Sequence, residues 1–112
     1  MIDLRDKLRE FAAQRDWDQF HTPKNLATAL SVEAAELLEH FQWLTAEQST
    51  RLPPEQKEKV RDEMADVLVY LVRLADKLDV NLLEAAAQKI EKNALKYPAA
   101  KVRGSMKKYS DY

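Results

Sequence analysis

The chain has 112 residues, a formal net charge of −1, one glycine and no cysteine. That length suits a single domain. The missing thiols exclude disulfides and thiolate-bound zinc, and the near-neutral charge excludes a global basic field for holding a nucleic-acid backbone.

The lone glycine, Gly104, also excludes a Walker loop and a dinucleotide fingerprint, which need several glycines to bring backbone amides against phosphate. If phosphates are handled, side chains and a metal must do it. Asp3, Arg5, Asp6 and Lys7 leave no room for a leader-type apolar segment after Met1. No apolar run approaches the roughly 20 residues of a membrane span. The expectation is a soluble, cytoplasmic protein without a membrane or nucleic-acid partner.

Taken in chain order, the elements are all helical. Leu4, Leu8, Phe11 and Ala12 recur at helical spacing and predict a first helix from about Leu4 to Arg15. Phe20-His21-Thr22-Pro23 interrupts it. Thr22 then reads as the N-cap, and Pro23 as the first residue, of a second helix running to about Trp43. Thr45 with Gln48 has the form of a capping box for a short turn. After Leu52-Pro53-Pro54, a third long helix is predicted from Pro54 or Glu55 to about Leu78. Asn81 and Glu84 fit the N-cap and N3 of a fourth, ending before Pro98. The organisation expected is a helical domain over 1–98 and a basic tail over 99–112. That tail carries Lys101, Arg103, Lys107 and Lys108 and is expected to be loosely ordered or docked on a partner subunit.

Acidic residues sit where apolar ones are expected. On a helical wheel Leu26, Leu30, Ala34, Leu37, Phe41 and Leu44 share one arc of the second helix. Glu33 falls in or beside that arc, and Glu36 lies one step round on the same side. On the third helix Val60, Met64, Val67, Leu71, Leu74 and Leu78 form the stripe. Glu63 and Asp66 flank it, with Tyr70 a turn beyond. Each acidic pair is spaced i, i+3, so its members are neighbours. One Glu-x-x-Glu alone is commonly a solvated helix face. Two such pairs beside facing stripes would converge, and like charges at a core edge need protons, Lys or Arg partners, or a hard divalent cation. Ala65, Val69 and Val72 lie off the main stripe of the third helix, so its middle is apolar on most sides. In a chain this short that predicts a subunit interface.

Glu33-Ala34-Ala35-Glu36, followed after 26 residues by Glu63-Met64-Ala65-Asp66, resembles the Glu-x-x-Glu … Glu-x-x-Asp signature of the MazG-like, all-α NTP pyrophosphatase superfamily. Residues 11–21, Phe41-Gln42-Trp43, Asp66 to Val72, and Lys89-Ile90 … Asn93 … Lys96-Tyr97-Pro98 are similar to its dCTP pyrophosphatase branch. The likeness covers about residues 8–110. It implies a four-helix bundle-like MazG fold that forms a homodimer or a homotetramer built as a dimer of dimers. It implies cleavage of a nucleoside triphosphate to the monophosphate and diphosphate, with dCTP or related pyrimidine deoxynucleotides as substrates and nucleotide-pool cleaning as the purpose. Glu33, Glu36, Glu63 and Asp66 are then the ligands of Mg²⁺, with Mn²⁺ as a substitute. From its place at the edge of the arc, Glu36 is read as the carboxylate that takes the water's proton, the catalytic base. Trp17, Trp43 and Tyr70 are expected around the base, and Lys89, Asn93 and Lys96 near the phosphates and sugar; His21 reads as a substrate contact or equally as a helix-end cap. Leu8 stands where the vertebrate dCTP enzyme has a histidine, and Lys96 where arginine is common. Two other readings are the same chemistry with a different or broad base preference, and a non-catalytic helical dimerisation module.

Overall fold

The computed structural model describes residues 1–104. Its elements are α1 (Ile2–Gln14), a 3-10 turn (Asp18–Phe20), α2 (Pro23–Glu39), α3 (Ala46–Ser49), α4 (Pro54–Lys77), α5 (Leu82–Lys96) and α6 (Ala99–Val102). No strand occurs among the described residues. The all-α expectation holds, with four long helices and two single-turn ones among the described residues.

Capping chemistry sets most of the boundaries. The Thr22 hydroxyl accepts the Asn25 amide at 3.2 Å, and Pro23 opens α2. Thr45 and Gln48 form the reciprocal box of α3: the Thr45 hydroxyl accepts the Gln48 amide at 3.1 Å, and the Gln48 side chain accepts the Thr45 amide at 2.9 Å. Asn81 Oδ1 accepts the Glu84 amide at 3.0 Å, while the Glu84 carboxylate turns to Gln88. Such caps satisfy helix-start amides that have no partner within the helix. The second helix stops at Glu39 rather than near Trp43. From His40 on, the backbone tightens into turns in which Phe41 bonds back to Leu38 and Leu44 to Phe41. His, Phe and Trp are weaker helix formers than the residues before them.

Two helices end in the same way. The Trp17 amide reaches Ala12 O at 2.9 Å and the Asp16 amide Ala13 O at 3.1 Å. At the end of α4 the Val80 amide reaches Ala75 O at 2.9 Å and the Asp79 amide Asp76 O at 3.2 Å. Asp16 and Asp79 take φ of 55° and 54°. Both ends are Schellman motifs with aspartate at the left-handed position that glycine usually fills.

The chain forms two compact units, 1–80 and from Asn81 onward. In the first, α4 is the central element, with α2 packed along it and α1 against another side. Ala12, Leu26, Val60, Val72 and Ala75 are buried. The core therefore departs from the predicted stripe of α4. Met64 and Leu78 are exposed, and Val72 and Ala75 are covered instead. They lie on the side from which Asp76 meets Arg9 of α1, so the second apolar face of α4 is partly occupied by its own chain. Ala65 remains exposed and Val69 half-buried. Polar contacts clamp the same side. Arg9 donates to Asp76 at 2.7 Å, Arg73 to Asp18 at 2.9 Å and Lys77 to Asp18 at 2.6 Å.

In the second unit, α5 buries none of its side chains, and Leu83, Ile90 and Leu95 are exposed. The described part of the predicted tail contains a helical turn, α6, that follows Pro98. Lys107 and Lys108 lie outside the described residues.

The left-handed aspartates give a stability test. Asp79→Gly should stabilise the protein by up to about 1 kcal/mol. The left-handed penalty of an L-residue, roughly 1–2 kcal/mol, is partly offset by the greater freedom of glycine in the unfolded chain. Asp79→Val should destabilise it. Urea melts of the two variants decide, and a lower midpoint for the glycine variant would contradict the argument.

Candidate functional site

Close packing of α2 on α4 brings three carboxylates together. Glu33 stands two turns after the buried Leu26 on the same face of α2, and Glu63 stands one turn after the buried Val60 on α4. One oxygen each from Glu33, Glu36 and Glu63 lies within 4.8 Å of the other two. All three residues are half-buried. Glu33 Oε2 and Glu63 Oε2 are themselves buried and accept no hydrogen bond. Among the described residues, none of the three forms an ion pair with Lys or Arg. Asp66 is one turn further along α4 and exposed, outside this trio. It is near enough to add its charge to the field at Glu63.

The electrostatic consequence is direct. Burial, reinforced by Glu63 and Glu36, pushes the Glu33 carboxyl up to about 7. Burial also raises Glu63, and the charges of Glu36 and Asp66 act in the same direction. A half-buried carboxylate with one unsatisfied oxygen and like charges beside it favours its protonated form. An all-oxygen set of this kind can instead hold a hard divalent cation, which would satisfy the two orphaned oxygens and offset the repulsion.

The aromatic residues occupy the ends of elements. Trp17 follows α1 and meets Phe11 edge to face, with ring centroids 5.7 Å apart, while keeping 46% of its surface exposed. Trp43, in the turn after α2, is 87% exposed. Tyr70 is half-buried on α4, two turns after Glu63. Lys89, Asn93 and Lys96 share one face of α5 by their spacing, within the second unit.

Residues 28–112 match the MazG-like family. The chain belongs to that family. This MazG-like chain is 44% identical to a mouse protein named dCTP pyrophosphatase 1, and 42% identical to the human protein of that name. In both cases 97% of the chain aligns. It spans 65% of the length of those relatives. It is also similar to the crystal structure of a pyrophosphatase from Archaeoglobus fulgidus, with a TM-score of 0.83 and 47% identity over 88% of this chain and 92% of that one.

The MazG-like chain also holds a cluster that its pattern of acidic pairs does not announce. Arg73 is 3% exposed. It donates through Nη2 to Asp18, its Nε lies 3.3 Å from His21 Nδ1, and its Nη1 lies 3.6 Å from Asp76. Lys77 and Arg73 together hold the Asp18 carboxyl below its usual range, and Arg9 does the same for Asp76. Burial and then the charge of Arg73 lower the His21 imidazole. The sequence contained one signal. Arg73 is the only charged residue in the nine-residue apolar run Val67 to Ala75, with Asp76 three positions on.

The raised carboxyl predicts a pH effect whose sign can be worked out. Folded Glu33 holds its proton up to about pH 7, against a usual value of 4.5. Its contribution to stability is therefore complete below about pH 4.5 and is lost as pH rises through about 7. Glu33→Gln cannot ionise and escapes that loss. In EDTA, its melting temperature relative to the unmutated protein should climb across this interval, while the contributions of Asp18 and Asp76 cancel in the difference. A flat difference would show that Glu33 is already neutralised by a partner.

Proposed function

We propose that this protein is a divalent-cation-dependent nucleoside triphosphate pyrophosphohydrolase, converting a (d)NTP and water to the (d)NMP and diphosphate. The observation that carries this reading is the trio of Glu33, Glu36 and Glu63, with two buried oxygens that no protein donor satisfies. Membership of the MazG-like family and similarity to proteins named dCTP pyrophosphatase support the same chemistry. The preferred substrate is dCTP or a related pyrimidine deoxynucleotide, and the role is cleaning the nucleotide pool. A wider base preference is the second reading, favoured by the apolar Leu8 at a position where the dCTP branch resemblance leads one to expect histidine.

Glu33, Glu36 and Glu63, with Asp66 swinging in from its exposed position, would hold Mg²⁺, or Mn²⁺ in its place. When bound, the cation supplies neutralising charge for the triphosphate and its departing diphosphate. The chain's own residues do the rest. Neither oxygen of Glu36 is a buried orphan, unlike one oxygen each of Glu33 and Glu63, so Glu36 has the freedom to take a proton from the attacking water on its carboxylate. Trp17, Trp43 and Tyr70 offer flat faces for a base. His21 offers a ring nitrogen, and Lys89, Asn93 and Lys96 bind phosphate and sugar oxygens. Leu38, Met64 and Leu68 leave apolar surface exposed on α2 and α4. In this reading a second copy covers it, making a homodimer or a dimer of dimers.

The decisive assay incubates the protein with each NTP and dNTP plus Mg²⁺ or Mn²⁺ and separates the products. Monophosphate with diphosphate is expected. Inorganic phosphate would mean that a different bond is cut. No turnover of any nucleotide would leave a non-catalytic helical dimerisation module. Glu33→Ala should lower turnover by more than about 100-fold, the upper end of what even outer-shell changes at metal sites cost. Its metal-free fold should be as stable as the unmutated one or more so, because repulsion is relieved.

A further inference from the structure

Arg73 is a buried charge inside an apolar run, and burying a guanidinium is unfavourable unless its donors are used. Its donors are used in one direction. Nη2 bonds Asp18 at 2.9 Å and lies 3.2 Å from His21 Nδ1, and Nε lies 3.3 Å from that same nitrogen. Asp76, the remaining neighbour, is already held by both nitrogens of the Arg9 fork. The contacts particular to Arg73 therefore reach the connector between α1 and α2, the segment that carries Trp17 and His21.

Arginine has no acceptor. The ring nitrogen that faces it must then accept, which places the His21 proton on Nε2. Among the described residues nothing else bonds the ring, so that proton is left for solvent or a ligand. Stability alone does not account for an arginine here, since apolar side chains often replace buried ion pairs without loss. The rigid fork of arginine holds Asp18 and His21 at once in a fixed relative geometry, which a lysine's single rotatable ammonium does not impose.

We propose that Arg73 is a positioning residue for nucleotide binding, whose fork fixes His21 as its Nε2-protonated form and anchors the Asp18 turn so that Trp17 and His21 are preset for the substrate. This rests on the hydrolase reading above and assigns it a residue outside the acidic cluster.

Arg73→Lys keeps a positive charge near Asp18 and Asp76 but loses the fork. Imidazole nitrogen NMR of the unmutated protein should show a single Nε2-protonated His21, and Arg73→Lys should show both tautomers. Nucleotide KM should rise about tenfold, the scale of one lost hydrogen bond to a charged group, with kcat held within about twofold. Lys77→Met, which removes the other cation on Asp18 but no donor that faces the ring, should leave the His21 tautomer unchanged. A His21 protonated on Nδ1 in the unmutated protein would overturn the proposal without any variant. So would an active Arg73→Lys protein with unaltered KM, or a loss confined to kcat that follows the folded fraction. If the unmutated protein turns over no nucleotide, the hydrolase reading falls and takes the substrate role of Arg73 with it. If it is active and only the Arg73→Lys expectations fail, the assignment of Arg73 falls alone.

Discussion

Packing α2 along α4 presents Glu33, Glu36 and Glu63 to one another at the margin of an apolar core, and most other features of the first unit follow from that contact. Leu26 and Val60 fix the register of the two helices by being buried. The same register sets the carboxylates within 4.8 Å of each other. The hydrophobic contact and the electrostatic strain thus cannot be separated. Relaxing the repulsion by sliding the helices would uncover the apolar side chains that hold them, at roughly 25 cal/mol for each Å² re-exposed. The strain persists because the packing over-determines the geometry, as in many functional sites.

Around that contact the chain invests its remaining polar chemistry in holding one connector. Arg9, Arg73, Asp18, Asp76 and Lys77 form a charged group on another side of α4. The network mixes exposures. Arg73 and Asp76 are shielded, while Asp18 and Arg9 are more than half exposed. Exposed pairs contribute little to stability by themselves. Their effect here is geometric, because they tie the segment between α1 and α2 to the helix that carries Glu63.

Much of this was legible in the sequence. Thr22, Thr45, Asn81 and Pro54 announced their helix starts because caps and prolines act locally, through groups only a few residues apart. The acidic pairs were legible because a carboxylate beside an apolar stripe violates the usual partition of charge. What failed did so where two helices compete for one face. The predicted stripe of α4 treated Met64 and Leu78 as core, but α1 claims the side holding Val72 and Ala75. A wheel drawn for one helix contains no information about how many neighbours it has. Asp66 illustrates a second limit. Spacing placed it beside Glu63, yet in the structure it stays exposed, one methylene shorter than its neighbours and one turn further along. Arg73 went unread because its partners Asp18 and His21 lie more than 50 positions away.

The crowding of α4 has an evolutionary corollary. One side of this helix bears Glu63, another Arg73 and Asp76, and a third the exposed Met64 and Leu68. Between Asp66 and Asp76 few positions are spectators, so few there can drift neutrally. Divergence between cousins of this chain should accumulate on the solvent side of α1 and in α3, while α4 changes slowly and in compensating pairs.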